Sequence, residues 1–295
     1  MSPRDRCASS GPFFEVSLVA AAARTVCRRY HAEPSLPLSL DKKMARYELL
    51  NNIAHRDLRV ATGFGTEFGD DVGMVPAFPS EFAELQREYP IFLRKDAASG
   101  KWQSVVLLGF EQRENLFLHD GRWNAAYLPG AVAKGPFLIG FQEHRIDGEL
   151  TQDAVMHVDV DHPRVNAPHG EPVFLPQGGN TPYLDHVANV LRGIRDGSTY
   201  GATMFAALDA KGLIQPFSLD IQADERHRIA VNGLHGIDRE RLAALDGADL
   251  LELNRAGYLE GAYLMLASLH NMRRLLAEKQ RRLRAHDAAL PTGKN

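Results

Sequence analysis

The most regular alternation of apolar and polar positions lies in residues 89–140. Four apolar runs follow one another there, at 91–93, 102–110, 116–118 and 137–141. A polar loop ending at Gly100 separates the first two runs, which is typical of a β-hairpin. An Asp-Gly turn signal at 120–121 separates the last two. The pattern predicts an antiparallel β meander in the N-terminal half of the chain.

The second half changes to a helical period. Thr181 followed by Pro182 is a typical helix start, and apolar positions then recur at helical spacing. We expect this helix to end near Gly193 and a second one to end before Gly212. Two strands are predicted at 214–221 and 228–234. Apolar positions recur again from Tyr258 to about Arg284, which predicts a long C-terminal helix. The predicted class is α+β, with helices covering the meander.

Composition and charge set the domain organisation. The chain has 295 residues, 44% of them hydrophobic and 24% charged, which is ordinary for a globular protein. Residues 44–284 are predicted to form a single domain. Residues 1–43 are predicted to be a disordered extension, or a stretch upstream of a true start at Met44, and residues 285–295 a flexible tail. No run of about 18 uncharged apolar residues occurs, so no transmembrane segment is predicted.

The net charge of −3 argues against binding to nucleic acid. The two cysteines, Cys7 and Cys27, both precede the predicted domain. The domain therefore has neither a disulfide framework nor a thiol nucleophile.

A candidate metal site lies in the alternating stretch at 154–160. His157 and Asp159 fall on one face of the predicted strand and, with a distant His227 or His235, would form the triad used by non-haem iron oxygenases. The alternative is that this face is the solvated side of a half-buried strand, and short motifs often match by chance. Iron is therefore the cofactor of the alternative hypothesis, and no cofactor is expected otherwise.

A candidate binding surface consists of three aromatic residues in the meander, Trp102, Trp123 and Tyr127. They could line a groove for a peptide, although core packing is the commoner role of tryptophan in a sheet. The glycine-punctuated segment at 63–73 lacks the spacing of a dinucleotide-binding motif. We interpret it as a surface loop that carries Asp70 and Asp71.

The order of short motifs along the chain resembles the SapC family of bacterial proteins. These motifs include Tyr89-Pro90-Ile91, Glu114-Asn115-Leu116-Phe117, Gly121-Arg122-Trp123, Gly135-Pro136-Phe137 and Gly170-Glu171-Pro172-Val173-Phe174. The resemblance covers roughly residues 44–284. It implies a surface-layer or peptide-transport context, because members are often labelled in that way, and it brings no catalytic residue set.

Three hypotheses follow for the function. The leading one is a non-enzymatic protein that binds a peptide or protein partner in a bacterial surface-layer or peptide-uptake system. The second is a metal-dependent oxygenase-type enzyme that uses His157 and Asp159. The third is a structural subunit of a surface layer. A cytoplasmic and a cell-surface location are both compatible with the sequence.

Overall fold

The computed structural model describes residues 45–146, 149–222 and 227–289. The strands in these ranges are β1 (Tyr47–Leu49), β2 (Arg59–Val60), β3 (Met74–Pro76), β4 (Ile91–Lys95), β5 (Trp102–Leu107), β6 (Leu118–His119), β7 (Arg122–Trp123), β8 (Phe137–Ile146), β9 (Glu149–Asp159), β10 (Glu171–Pro172), β11 (Ile214–Gln222) and β12 (Arg228–Ile237). The α-helices are α1 (Phe82–Leu85), α2 (Gly130–Ala133), α3 (Pro182–Ala210), α4 (Arg239–Ala243), α5 (Gly247–Arg255), α6 (Tyr258–Ser268) and α7 (Asn271–Ala289). The predicted α+β class is confirmed.

The largest sheet has five antiparallel strands in the order β11-β12-β4-β5-β3. The predicted hairpin lies within it as β4 and β5, with Ile91 opposite Val106. Gly100 closes the hairpin loop at a φ of 68°, a conformation that glycine adopts at little cost. On the other side β12 pairs with β4. Strands from both halves of the chain therefore share one sheet.

The four runs of the predicted meander are divided among three sheets. The first two lie in the five-stranded sheet, and the third ends in the two-stranded sheet of β6 and β7. The fourth begins β8, which joins a three-stranded sheet in the order β1-β9-β8, because Phe137 and Ile139 match the apolar face of β9. The Asp120-Gly121 turn is confirmed, with φ of 46° and 74°, as a two-residue hairpin loop with both central φ positive requires.

Helix α3 connects two apolar cores. Its first half places Leu184, Val187 and Leu191 in a smaller core with Phe137 and Val158 of the three-stranded sheet. Its second half contributes to the larger core, which contains the buried residues of β4 and β5. Since one rigid helix contributes to both cores, their relative position is determined by α3.

The helix predicted to stop near Gly193 continues to Ala210, so the prediction of two helices is wrong. A glycine costs a helix interior only about 1 kcal/mol, which tertiary packing outweighs. The packing is close: a Cβ on Gly197 would lie 2.4 Å from Ser80 Oγ and 2.9 Å from Phe78 Cβ. Ser80 Oγ also donates to the Gly193 carbonyl at 2.9 Å. The glycines of α3 therefore allow residues 78–80 to approach the helix.

The long helical C-terminus predicted from Tyr258 is confirmed, with a local break at residues 269–270 between α6 and α7. Two buried polar residues flank this break. Ser268 Oγ accepts from the Ile91 amide at 2.9 Å, and Asn271 donates to the Gln86 carbonyl at 2.8 Å. The break therefore anchors the C-terminal helices to the beginning of β4.

The predicted extension at 1–43 lies outside the described residues. Helix α7 reaches Ala289, so the first five residues of the predicted 285–295 tail are helical. Among the helices described here, none has the length and apolar character needed to cross a membrane.

Candidate functional site

A half-enclosed cavity of about 180 Å³ lies between segments that belong to different parts of the chain. We call it the basic pocket, defined by Lys134, His162 and Arg164 together with Asp70, Phe68 and Trp123. The loop after β2, the end of β7, the end of α2 and the segment after β9 each contribute to its lining. Three basic side chains and one carboxylate therefore meet at a cavity that also has aromatic walls.

Arg164 is held by Asp70 in a buried bidentate ion pair. Arg164 Nη2 donates to both carboxylate oxygens, at 2.8 and 2.7 Å, and the two side chains are only 7% and 9% exposed. Arg164 Nη1 donates to the carbonyls of Ala61 and Gly63. The Gly65 amide donates to Asp70 at 2.9 Å. The interpretation of Asp70 as part of a surface loop is wrong, because its side chain is buried against Arg164, which lies 94 residues away in the chain.

His162 is a neutral hydrogen-bond donor in this setting. Its Nδ1 accepts from the Arg164 amide at 3.1 Å, which assigns the ring proton to Nε2. Burial, and then the charge of Arg164, lowers the pKa of His162 below its ordinary value, while Asp159 opposes the shift. The neutral ring of His162, which lines the cavity, therefore carries its proton on Nε2.

Lys134 caps the end of α2 and lines the same cavity. Its Nζ donates to the carbonyls of Gly135 and Phe137 at 3.4 Å each, which are long contacts. Burial lowers the pKa of Lys134, and the charge of Asp159 opposes that shift. Among the described residues no carboxylate lies within ion-pair distance of Lys134. Lys134 therefore lacks the neutralising partner that Arg164 has in Asp70.

Trp123 lines the pocket, and its indole N–H already donates a hydrogen bond within the protein. Its Nε1 donates to Tyr89 Oη at 2.7 Å, and Tyr89 donates to the Tyr127 carbonyl at 2.6 Å. Tyr127 in turn donates to Glu81 at 3.0 Å, and burial raises the pKa of both tyrosines. Trp123 and Tyr127 are thus joined in one network, in which only Trp123 lines the cavity.

Trp102, the third predicted aromatic residue, lies elsewhere. It begins β5, and the amide of Leu107, five residues later, bonds to Pro90 beside Tyr89. At about 3.4 Å per residue, Trp102 lies about 17 Å along the strand from Leu107. Trp102 packs instead against Lys95 at 5.0 Å and His235 at 4.7 Å. The three aromatic residues therefore do not line a common groove.

His157 and Asp159 share one face of β9, as the alternation predicts. The His157 ring lies over Gly140, where an added Cβ would be 2.5 Å from His157 Cε1. Asp159 accepts from the Asp161 amide at 3.2 Å. His235, a predicted third ligand, belongs to the five-stranded sheet rather than to the sheet of β9. Within the described ranges no three His, Cys, Asp or Glu side chains gather closely enough to hold a metal ion.

A second cavity, of about 280 Å³, lies against α7 and is lined by Phe117, Arg274, Glu278 and Arg281 among others. Its charges are already paired. Arg281 and Arg282 donate to Glu278, which lowers the pKa of Glu278 to about 2. Arg274 lies over the Phe117 ring at 5.9 Å and near Glu88 at 3.6 Å. The basic pocket is therefore the stronger candidate site.

The fold and this site define an α+β protein with a basic pocket built from segments distant in sequence. The SapC family model matches residues 50–275, which is most of the chain. The chain belongs to the SapC family, and the resemblance is confirmed. Comparisons with curated proteins and with solved structures found no match.

Sequence reasoning missed Lys134, Arg164 and Asp70 as site residues. They lie at three separate places in the chain, and no short motif contains them together. A local signal was the presence of two basic residues, His162 and Arg164, shortly after the alternating stretch at 154–160. Of the predicted site residues, only Trp123 lines the basic pocket.

Proposed function

We propose that the protein is a non-catalytic binding protein of a bacterial surface-layer or peptide-uptake system, and that it takes one end of a peptide into the basic pocket. The observation that carries the proposal is the combination of aromatic walls with hydrogen-bond donors in one half-enclosed cavity. The surface or uptake context comes from the resemblance to the SapC family. The peptide class comes from the size and chemistry of the cavity.

The cavity size favours an end group over a whole peptide. At about 180 Å³ it is smaller than the roughly 300–1,000 Å³ of pockets that enclose drug-sized ligands. It suits one residue, whose side chain would contact Phe68, Val75 and Trp123. The backbone of that residue would meet Lys134 and His162.

The chemistry of the lining favours binding over catalysis. The described lining includes no Ser, Thr or Cys that could act as a nucleophile. Arg164 and Asp70 are engaged with each other, and Nδ1 of His162 is occupied by a backbone amide. The groups that remain are hydrogen-bond donors, as expected of a recognition site.

Affinity selection from a random tripeptide library, read by mass spectrometry, tests the proposal. We expect the protein to retain a subset of the library and Lys134→Met to lose it, because the substitution removes the charge but keeps the side-chain length. The matched control is Lys101→Met, in the exposed loop before β5, which should retain the same peptides. Retention of no peptide, or the same retention by Lys134→Met, would refute the proposal.

A further inference from the structure

We propose that the basic pocket recognises a free carboxylate, so that it is the C-terminal end of a peptide that enters, with Lys134 Nζ and His162 Nε2–H as the donors. This inference rests on the proposed function and names the ligand chemistry of the same site.

The Arg164–Asp70 pair contributes little free charge to the pocket. Both oxygens of Asp70 accept from Arg164, and one also accepts from the Gly65 amide. The two terminal nitrogens of Arg164 donate to Asp70 and to two backbone carbonyls. The guanidinium is also covered by the Phe68 ring at 4.6 Å. The pair therefore forms a neutral, rigid wall.

Lys134 supplies the charge that is left. An ammonium group has three donors, and two of those on Lys134 make only 3.4 Å contacts to carbonyls. A carboxylate would replace these with a charge-assisted hydrogen bond, which is shorter and roughly twice as strong as a neutral one. It would also oppose the burial that lowers the pKa of Lys134, because a nearby negative charge favours the ammonium form.

His162 supplies a second, neutral donor. The bond from the Arg164 amide to Nδ1 fixes the ring orientation and leaves the proton on Nε2. A carboxylate has two oxygens, so one can accept from Lys134 and the other from His162. The two donors come from the end of α2 and from the segment after β9, and both line the same cavity.

The same arrangement disfavours the other end of a peptide. A terminal ammonium group would meet the positive charge of Lys134, while the charge of Arg164 is neutralised by Asp70. Asp70 is the only carboxylate in the described lining, and Arg164 occupies both of its oxygens. Like charges at such short range are repulsive in a partly desolvated site. The pocket should therefore distinguish the two ends of a chain.

Three small probes separate these cases: N-acetylalanine, which has a free carboxylate, N-acetylalaninamide, which lacks it, and alaninamide, which is a cation. The readout is the NMR signal of the His162 ring, assigned by its loss in His162→Asn. We expect N-acetylalanine to shift this signal saturably and the other two to leave it unchanged. Lys134→Met should weaken N-acetylalanine binding roughly tenfold or more, the size of one lost bond to a charged group, and Lys101→Met should not.

His162→Asn tests the second donor, because asparagine can place an oxygen near Nδ1 to accept from the Arg164 amide while it removes the Nε2 donor. We expect weaker N-acetylalanine binding, measured by calorimetry, with unchanged thermal stability. Equal binding of N-acetylalaninamide, or full binding by Lys134→Met, would overturn the inference. If the tripeptide library is retained regardless of C-terminal amidation, the inference is wrong and the peptide-binding proposal stands. If N-acetylalanine binds but no peptide is retained, the peptide-binding proposal is wrong and the carboxylate site stands.

Discussion

The buried ion pair behind the pocket gives the sharpest prediction, made with Asp70→Asn. This substitution keeps the side-chain shape, but it leaves the Arg164 charge buried without a carboxylate. In the wild-type protein Asp70 accepts three hydrogen bonds, two from Arg164 and one from Gly65. In the variant, the amide nitrogen that replaces one oxygen would face a donor. Breaking a buried pair in this way costs about 3–5 kcal/mol. We expect the lower part of that range, because two carbonyls still accept from Arg164.

The assay is urea denaturation followed by circular dichroism. With a slope of roughly 3 kcal/mol per molar urea, a loss of about 3 kcal/mol moves the midpoint by about 1 M. The matched control is Asp220→Asn, whose ion pair with Arg228 is solvent-exposed, with 53% and 68% of the two side chains accessible. Exposed pairs contribute about 0–1 kcal/mol, so this variant should unfold close to the wild type.

A double-mutant cycle identifies the cause. Arg164→Met alone leaves Asp70 as the uncompensated buried charge and should also be costly. The double variant removes both charges, so its loss of unfolding free energy should be smaller than the sum of the two single losses. The buried ion pair does not stabilise the fold in this way if Asp70→Asn lowers the free energy of unfolding no more than Asp220→Asn, or if the losses of the two single variants are additive.

Two further predictions concern α3 and His162. Gly193→Ala should raise the free energy of unfolding by up to about 1 kcal/mol, since no atom lies within 4 Å of the added Cβ. Gly197→Ala should lower the free energy of unfolding by about 1–3 kcal/mol, because its Cβ would contact Ser80 and Phe78. Paired thermal melts check both variants, and equal effects would contradict the packing. The folded-state pKa of His162 is lowered, so its contribution to stability is fully present above its ordinary value of 6.5 and is lost as pH falls through the folded pKa. Between neutral pH and that lower pKa, His162→Asn should therefore lose less stability than the wild type, and parallel pH curves would show that His162 does not titrate as described.

Features that depend on neighbouring residues were predictable from the sequence. The β4–β5 hairpin, the Asp120-Gly121 turn and the start of α3 at Thr181-Pro182 all depend on local preferences for φ and on local hydrogen bonds. The long C-terminal helix followed from its apolar period. The predicted non-enzymatic binder and the aromatic groove were hypotheses, and of the groove residues only Trp123 lines the basic pocket.

The sequence by itself determined the α+β class, the longer strands and helices, and the family. Only the tertiary structure decided which strands share a sheet, that α3 continues through Gly193, and that Asp70, Lys134, His162 and Arg164 meet at one cavity. The physical reason is distance along the chain. Local propensity acts over a few residues, whereas an ion pair such as Asp70–Arg164 depends on which surfaces the cores bring together and on the burial that results.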